Sequence, residues 1–394
     1  MIQSLLQKRI ILFGASDRAR ECIKSLLLLE ADLAAIIDNN PLRVGEKYMD
    51  LFIQDVHSVF LAVKQNPSAY VFIICSRSVG EITKQIEEQQ FTVNNILTFE
   101  DYWNILPHLC REAHKNIYII DYAEQYKMWV NDLLSEVDFW YQIAKNDKNY
   151  LSNLWGYHKV FNIPWMKREA QENEIVLDVG CGPVSKLGSV YCKGGSIQLI
   201  PVDPLANYYK AIVDKFSAIE NREKMYSVFG MFEFLSYYFG ENMADTIFIS
   251  NALDHCIDPI KGILEALKTL KKDTGELVLM HFFNEGEHAS YTGLHKWNLG
   301  FIDNDFIVWN QRNYINVSEL LSDYAEVSVS WVSGKELNSS RDRVLVNIVK
   351  RKDIDPEKIL GIKDTDRMVI SLKEIFLLQE NLDYCQRYIE LMNS

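Results

Sequence analysis

An α/β fold of two parallel-sheet domains joined by a helical connector is predicted by two series of short apolar runs that alternate with helical patterns, and by the strand-free stretch between them. The first series opens with RIILFG and reaches LAAIID at Asp38. The second opens with IVLDV and reaches QLIPVD at Asp203. In both, the first strand runs into glycine and the second ends on aspartate.

The chain has 394 residues, enough at roughly 100–200 residues per domain for two or three domains with full cores. Hydrophobic residues make up 48% and charged residues 24%, ordinary values for a globular protein. The net charge is −13 and its acids and bases are mixed along the chain, so no basic stripe suits nucleic acid as a partner. The seven cysteines (22, 75, 110, 181, 192, 256 and 385) include no CxxC, which argues against a disulfide framework and a structural zinc. No apolar run reaches the ~18 residues of a membrane span, and the N-terminal run is too short for a signal peptide. A cytoplasmic location is the expectation.

Residues 1–105 read as strand RIILFG, a helix from Asp17 to Glu30 and strand LAAIID, stopped by Asn39, Asn40 and Pro41; VFIIC (71–75) and NILTF (95–99) then flank the helical EITKQIEEQQ. Residues 106–171 form the connector, where Trp129, Phe139 and Trp140 at helical spacing are expected to pack between domains. Residues 172–352 hold the second series: after QLIPVD come a helix over 208–219, strand DTIFIS, helix PIKGILEALKTL and strand GELVLMHF. EVSVSWV (326–332) and RVLVNIVKR (343–351) follow with no helix between them, which predicts an antiparallel pair at the sheet edge. FIDNDFIVWNQ predicts a hairpin over the cleft. The tail, 353–394, reads as an amphipathic helix that packs on its own chain or on the second subunit of a homodimer.

Chemistry concentrates in EIVLDVGCGPVSKLG. Gly180 and Gly182 let the backbone approach a ligand closely, and Asp203 follows at the end of the next strand, where an acid accepts hydrogen bonds from ribose hydroxyls. Asp178, within the strand end, repels a pyrophosphate and attracts an ammonium group. The ligand expected is a nucleoside that carries an amine.

At these residues the chain resembles the class I S-adenosylmethionine-dependent methyltransferases, over about residues 174–351. The resemblance implies a Rossmann-like sheet with a late antiparallel pair and S-adenosylmethionine as cofactor. Asp178, Gly180 and Gly182 match the family's first motif and Asp203 its ribose acid; Asn251, with Ser250 and Ala252, borders the methionine part. The segment Gly230 to Phe234 borders the adenine, with the backbone N–H of Phe232 and the side chain of Glu233 as contacts. VDPLANYY and SNALDHCIDPIKGILEALKTL look like a subgroup associated with sugar and surface-glycan tailoring. That implies a small-molecule or sugar-linked acceptor.

Methyl transfer to a hydroxyl is an in-line displacement that also needs a proton acceptor, and polar residues beyond the carboxyl ends of the fourth and fifth strands face the cleft of such sheets. His255 and His281 are the leading bases, with Asp254 beside them and Glu285 next. His288, Tyr291, His295 and Trp297 are expected to hold the acceptor, the two aromatics as a wall. No metal is expected, since no HExxH spacing occurs and a sulfonium donor requires none; ligation by the same His, Glu and Asp residues is the lesser reading.

In the first domain, GASDRAR keeps one glycine of a dinucleotide loop, Gly14, with Ser16 and Ala19 at the other two positions, and Asp38 ends the next strand. ILFGAS and AIIDNNPLRVG resemble the Rossmann-like N-terminal domains of sugar acyltransferases and sugar-tailoring enzymes. The resemblance implies nucleotide or nucleotide-sugar binding; a structural role fits the residues equally. The expectation for the whole chain is an S-adenosylmethionine-dependent methyltransferase acting on a hydroxyl of a sugar or glycan precursor. The alternative is a non-catalytic protein that binds a nucleotide sugar or the cofactor.

Overall fold

The computed structural model describes residues 5–360, except 92–94, 114, 119, 121, 164, 218, 220–221, 336–338 and 340. The predicted tail helix lies outside the described residues from 361 onward. The chain divides into two units near residue 120, with Trp309–Ile315 grouped with the first.

The first unit contains β1 (Arg9–Phe13), α1 (Asp17–Leu28), β2 (Leu33–Ile37), β3 (Lys47–Tyr48), β4 (Leu51–Gln54), α2 (Val56–Lys64), β5 (Tyr70–Ile74), α3 (Val79–Glu87), β6 (Ile96–Thr98) and α4 (Phe99–Ala113). Its sheet runs β3-β4-β2-β1-β5-β6 and is parallel except for the β3–β4 hairpin. β1 is buried at four successive positions, the continuous apolar run of a parallel strand covered on both faces. Phe13, Phe60, Phe72 and Phe91 fill the core on one side. After β1, Gly14 takes φ +104°, and the amide of Ala15 donates to Asp38 Oδ2 at 2.9 Å. The guanidinium of Arg43 also lies against this Asp38 oxygen and donates to the carbonyl of Ala15.

The second unit opens with α5 (Tyr122–Asn146) and α6 (Tyr150–Leu154). It continues through β7 (Ile175–Val179), β8 (Gln198–Asp203), α7 (Ala206–Phe216), β9 (Val228–Phe229), α8 (Leu235–Phe239), β10 (Thr246–Ser250), α9 (Pro259–Thr269), β11 (Glu276–Phe282) and α10 (Glu285–His288). Next in the chain come β12 (Asn298–Ile302), β13 (Asp305–Trp309) and β14 (Tyr314–Asn316), of which Trp309, Tyr314 and Ile315 group with the first unit, then α11 (Val317–Leu320), β15 (Ala325–Val332), β16 (Arg343–Lys350) and α12 (Pro356–Leu360).

Its main sheet has seven strands in the order β15-β16-β11-β10-β7-β8-β9. The strands from β11 to β9 are parallel, whereas β16 is antiparallel to both β11 and β15. This is the methyltransferase-type sheet that the resemblance implied, with its late antiparallel pair where the sequence predicted it. Strand order reverses beside β7, which opens a crevice at the carboxyl ends of β7 and β10, where such sheets receive ligands.

α5 is part of this unit rather than a separate connector: Trp140 and Tyr141 pack edge-on against Tyr209 and Phe216 of α7. α9 starts where the Asp258 carboxylate caps the amide of Lys261, with Pro259 in the first turn. Its Gly262 is required by packing, since a Cβ there would lie 2.0 Å from the ring of Phe232. Gly262→Ala should therefore push Phe232 out of place and lower stability by about 1–3 kcal/mol, measured by urea unfolding; an unchanged midpoint would show that the ring moves freely.

Candidate active site

The crevice is a cavity of ≈ 900 Å³, and every residue that lines it belongs to the second unit. Its floor is the loop after β7. Gly180 and Gly182 adopt φ +67° and +69°, and a Cβ on Gly180 would fall 2.3 Å from that of Ala252. Glycine is needed here for both conformation and space.

Asp203 fixes this loop. Its carboxylate accepts from the amides of Gly182 at 2.9 Å and Leu205 at 2.8 Å. Asp178 accepts from the hydroxyl of Ser185 at 2.5 Å, which ties the far side of the loop to the strand end. Glu233 lines the cavity, yet its Oε1 takes the amides of Ile257 and Asp258, tying the loop after β9 to the loop after β10. Asn251 adopts the left-handed conformation, φ 51°, and its Oδ1 accepts from the amide of Phe282. Phe232 and Asn251 both line the cavity.

The lining includes six carboxyl groups, those of Glu136, Asp178, Asp203, Glu233, Asp254 and Glu285, against the cations Lys186 and Arg343. That excess favours a cationic ligand. Burial pushes the Asp203 carboxyl up to about 7, although the Leu205 and Gly182 amides oppose the shift. It pushes Asp178 up to about 6 against the Ser185 hydroxyl and the Lys186 charge.

At the other end stand Asp254 and His255, in a short turn after β10, and His295 from the loop after α10. His295 Nδ1 lies 2.7 Å from Asp254 Oδ2 and 3.1 Å from His255 Nε2. Glu285 Oε1 is 3.9 Å from His295 Nδ1, and Arg341 pairs with the other Glu285 oxygen. The hydrogen bond to Asp254 raises the His295 imidazole above its ordinary range. Burial alone would lift Asp254, but the charge of His255 and the bond from His295 outweigh it and hold the carboxyl low.

Among the predicted site residues, Asp178, Gly180, Gly182, Asp203, Phe232, Glu233, Asn251, His255, Glu285 and His295 meet on this cavity. His281, His288, Tyr291 and Trp297 do not line it. His281 is 1% exposed, neither ring nitrogen has a hydrogen-bond partner, and burial pushes the imidazole down to about 4. It alternates with Met280 and Phe282, which line the cavity, and so points to the opposite face of β11. Its Nδ1 stands 3.9 Å from Asp254 Oδ1, too far for a hydrogen bond, and its burial makes it a poor proton acceptor for a ligand.

Trp297 is a core residue, 1% exposed, whose Nε1 donates to the carbonyl of Cys256. Tyr291 accepts from Asn298 through its hydroxyl instead of facing a ligand. The predicted hairpin forms as β12 and β13, but no residue of either strand lines the cavity. The aromatic wall comes from α5: Trp129, Phe139 and Trp140, expected to be interdomain packing, line the cavity. Trp129 Nε1 donates to the carbonyl of His255 and so ties α5 to the acid–histidine turn. Lys186, which stands in the glycine-loop stretch but was given no role there, and Arg343, at the start of the last strand, also line the cavity.

No protein-family model and no curated protein matches this sequence. Among solved structures, a Methanosarcina mazei S-adenosylmethionine-dependent methyltransferase is 16% identical over 48% of this chain and 98% of its own, with a TM-score of 0.29. An S-adenosylmethionine-dependent methyltransferase from Aquifex aeolicus is 16% identical over 45% of this chain and 84% of its own, at 0.26. The YcgJ protein of Bacillus subtilis is 14% identical over 47% of this chain and 94% of its own, at 0.30. The fold assignment rests on the strand order and not on these scores.

Asp203 generates a pH prediction. The folded state keeps a proton that an unfolded aspartate releases near pH 4, so folded protein binds more protons than unfolded between about 4 and about 7. Stability of the ligand-free protein should fall as pH rises through that window. Asp203→Asn, which cannot ionise, should flatten the slope in urea titrations at several pH values; an identical slope would refute the assignment.

Proposed function

We propose that the second unit binds S-adenosylmethionine and transfers its methyl group to a hydroxyl of a sugar-bearing or glycan-precursor acceptor. The observation that carries the cofactor reading is the carboxyl-rich crevice at the ends of β7, β8 and β10, with Asp178 and Asp203 buried on either side of a glycine loop that a Cβ would fill. Such a cofactor brings a sulfonium, an ammonium and a ribose diol. Asp178 attracts the ammonium, Asp203 accepts from the ribose hydroxyls, and Gly180 and Gly182 allow close backbone approach.

Asn251 borders the methionine part, and the backbone N–H of Phe232 is the donor offered to the adenine, its ring being packed on Gly262. Glu233, engaged with the Ile257 and Asp258 amides through Oε1, acts first by shaping that end of the site. The aromatic side chains of α5 form an apolar wall near His255, which suits the C–H faces of a sugar ring.

Held by Asp178, Asp203 and the glycine loop, S-adenosylmethionine would supply an electrophilic sulfonium methyl to an acceptor oxygen in line with the carbon–sulfur bond, whose electron pair would stay on a neutral thioether. The hydroxyl proton is drawn off by the cluster of Asp254, His255, His295 and Glu285, the only place on the cavity wall where imidazoles among the described residues stand beside carboxylates.

Calorimetry tests the cofactor reading. S-adenosylhomocysteine should bind in the micromolar range, and Asp203→Ala should weaken it by about 100-fold or more, roughly 3 kcal/mol. No heat with millimolar ligand would overturn the assignment.

A further inference from the structure

We propose that Asp254, His255 and His295 form a three-ligand site for a divalent transition metal, open to the cavity. Their donor atoms converge on one point: His295 Nδ1 is 2.7 Å from Asp254 Oδ2 and 3.1 Å from His255 Nε2, and the latter two are 3.6 Å apart. Hydrogen bonding alone does not satisfy this triangle. A neutral imidazole carries one N–H. A proton on His295 Nδ1 that points at Asp254 leaves the lone pair of His255 Nε2 facing a nitrogen whose proton is already committed. A second proton, on His255 Nε2, reaches Asp254 Oδ2 only at 3.6 Å, beyond hydrogen-bond length.

A cation satisfies all three donors together. Separations of this size are those of neighbouring ligands about 2.1 Å from one ion, and two imidazoles with one carboxylate suit zinc, iron, cobalt or nickel. Asp254 is 2% exposed, while His255 and His295 are 19% and 38% exposed, so the open coordination positions face the cavity.

The ligands are also held in place. Trp129 Nε1 fixes the carbonyl of His255, Trp297 Nε1 fixes that of Cys256, and the amide of Lys296 donates to the carbonyl of Asp254. Glu285 Oε1 stands 3.9 Å from His295 Nδ1, close enough to act on that ligand from outside the triangle. Spacing left ligation by these residues as the lesser reading because the ligands come from two loops about forty residues apart and form no metal motif.

The metal's role rests on the proposed methyl transfer, whereas its binding does not. An acceptor hydroxyl on the cation becomes more acidic. Its proton passes to the Glu285 carboxylate and on to solvent, its oxygen forms the new bond to the methyl carbon, and the carbon–sulfur pair goes to sulfur.

The experiment uses untagged full-length protein stripped with a chelator and titrated with Co²⁺, read by visible d–d absorption and by calorimetry. One equivalent should bind in the wild type, and His255→Gln and His295→Gln should each weaken binding by about 100-fold with unfolding midpoints near wild type. Absence of binding at millimolar Co²⁺, or an unchanged affinity in both variants, would overturn the site. S-adenosylhomocysteine is titrated in parallel: if it binds while Co²⁺ does not, only the metal proposal fails. Co²⁺ binding without nucleoside binding leaves the metal site standing and defeats the methyltransferase reading.

Discussion

The hydrogen bonds that Asp203 accepts from the amides of Gly182 and Leu205 set the shape of the second unit's cavity. They hold the glycine loop over the carboxyl ends of β7 and β8, and that loop supplies the floor. Neighbouring loops are tied in the same way, each by a side-chain acceptor reaching across to a backbone amide. Glu233 takes the Ile257 and Asp258 amides, and Asn251 takes that of Phe282. The crevice is thus framed by polar bonds between loops, and side chains from α5 close one wall.

This framing has an electrostatic cost. Asp178, Asp203, Glu233 and Asp254 are each buried to within a few percent, and burial raises the first three. Only Asp254 is held low, by the histidines around it. A carboxylate kept from water without a counter-charge destabilises the folded chain, and sites that bind cations commonly carry such a penalty until the ligand arrives. Stability lost by the empty protein reappears as affinity for a positively charged ligand.

The glycine-loop end of the cavity was legible in the sequence because its determinants are local. Gly180, Gly182 and Asp203 occupy fixed offsets from two strand ends, and strand ends follow from apolar runs. The histidine end depends on facts that spacing does not contain. His281 could have been set aside by period-two alternation once Met280 and Phe282 were known to face the cavity. Trp297 has the composition of a ligand platform, but its N–H found a carbonyl inside the core. Trp129 and Trp140 pack in the core and also line the cavity, as Phe139 does, because an aromatic stripe on a helix does not reveal that one face can serve both.

The two units also show why a glycine followed by an aspartate about twenty-four residues later is an incomplete signal. In both, the aspartate at the end of the second strand binds an amide of the first loop: Asp38 takes Ala15, as Asp203 takes Gly182. In the first unit the Arg43 guanidinium already stands beside Asp38, donating to the carbonyl of Ala15, and Tyr48 donates to the carbonyl of Ser16. The positions that a ligand's donors would use there are taken by the protein's own side chains. Asp203 has no such cation beside it among the described residues, and its loop opens onto the cavity. The same backbone arrangement is self-capped in one unit and open to a ligand in the other, and the difference comes from an arginine and a tyrosine outside the motif.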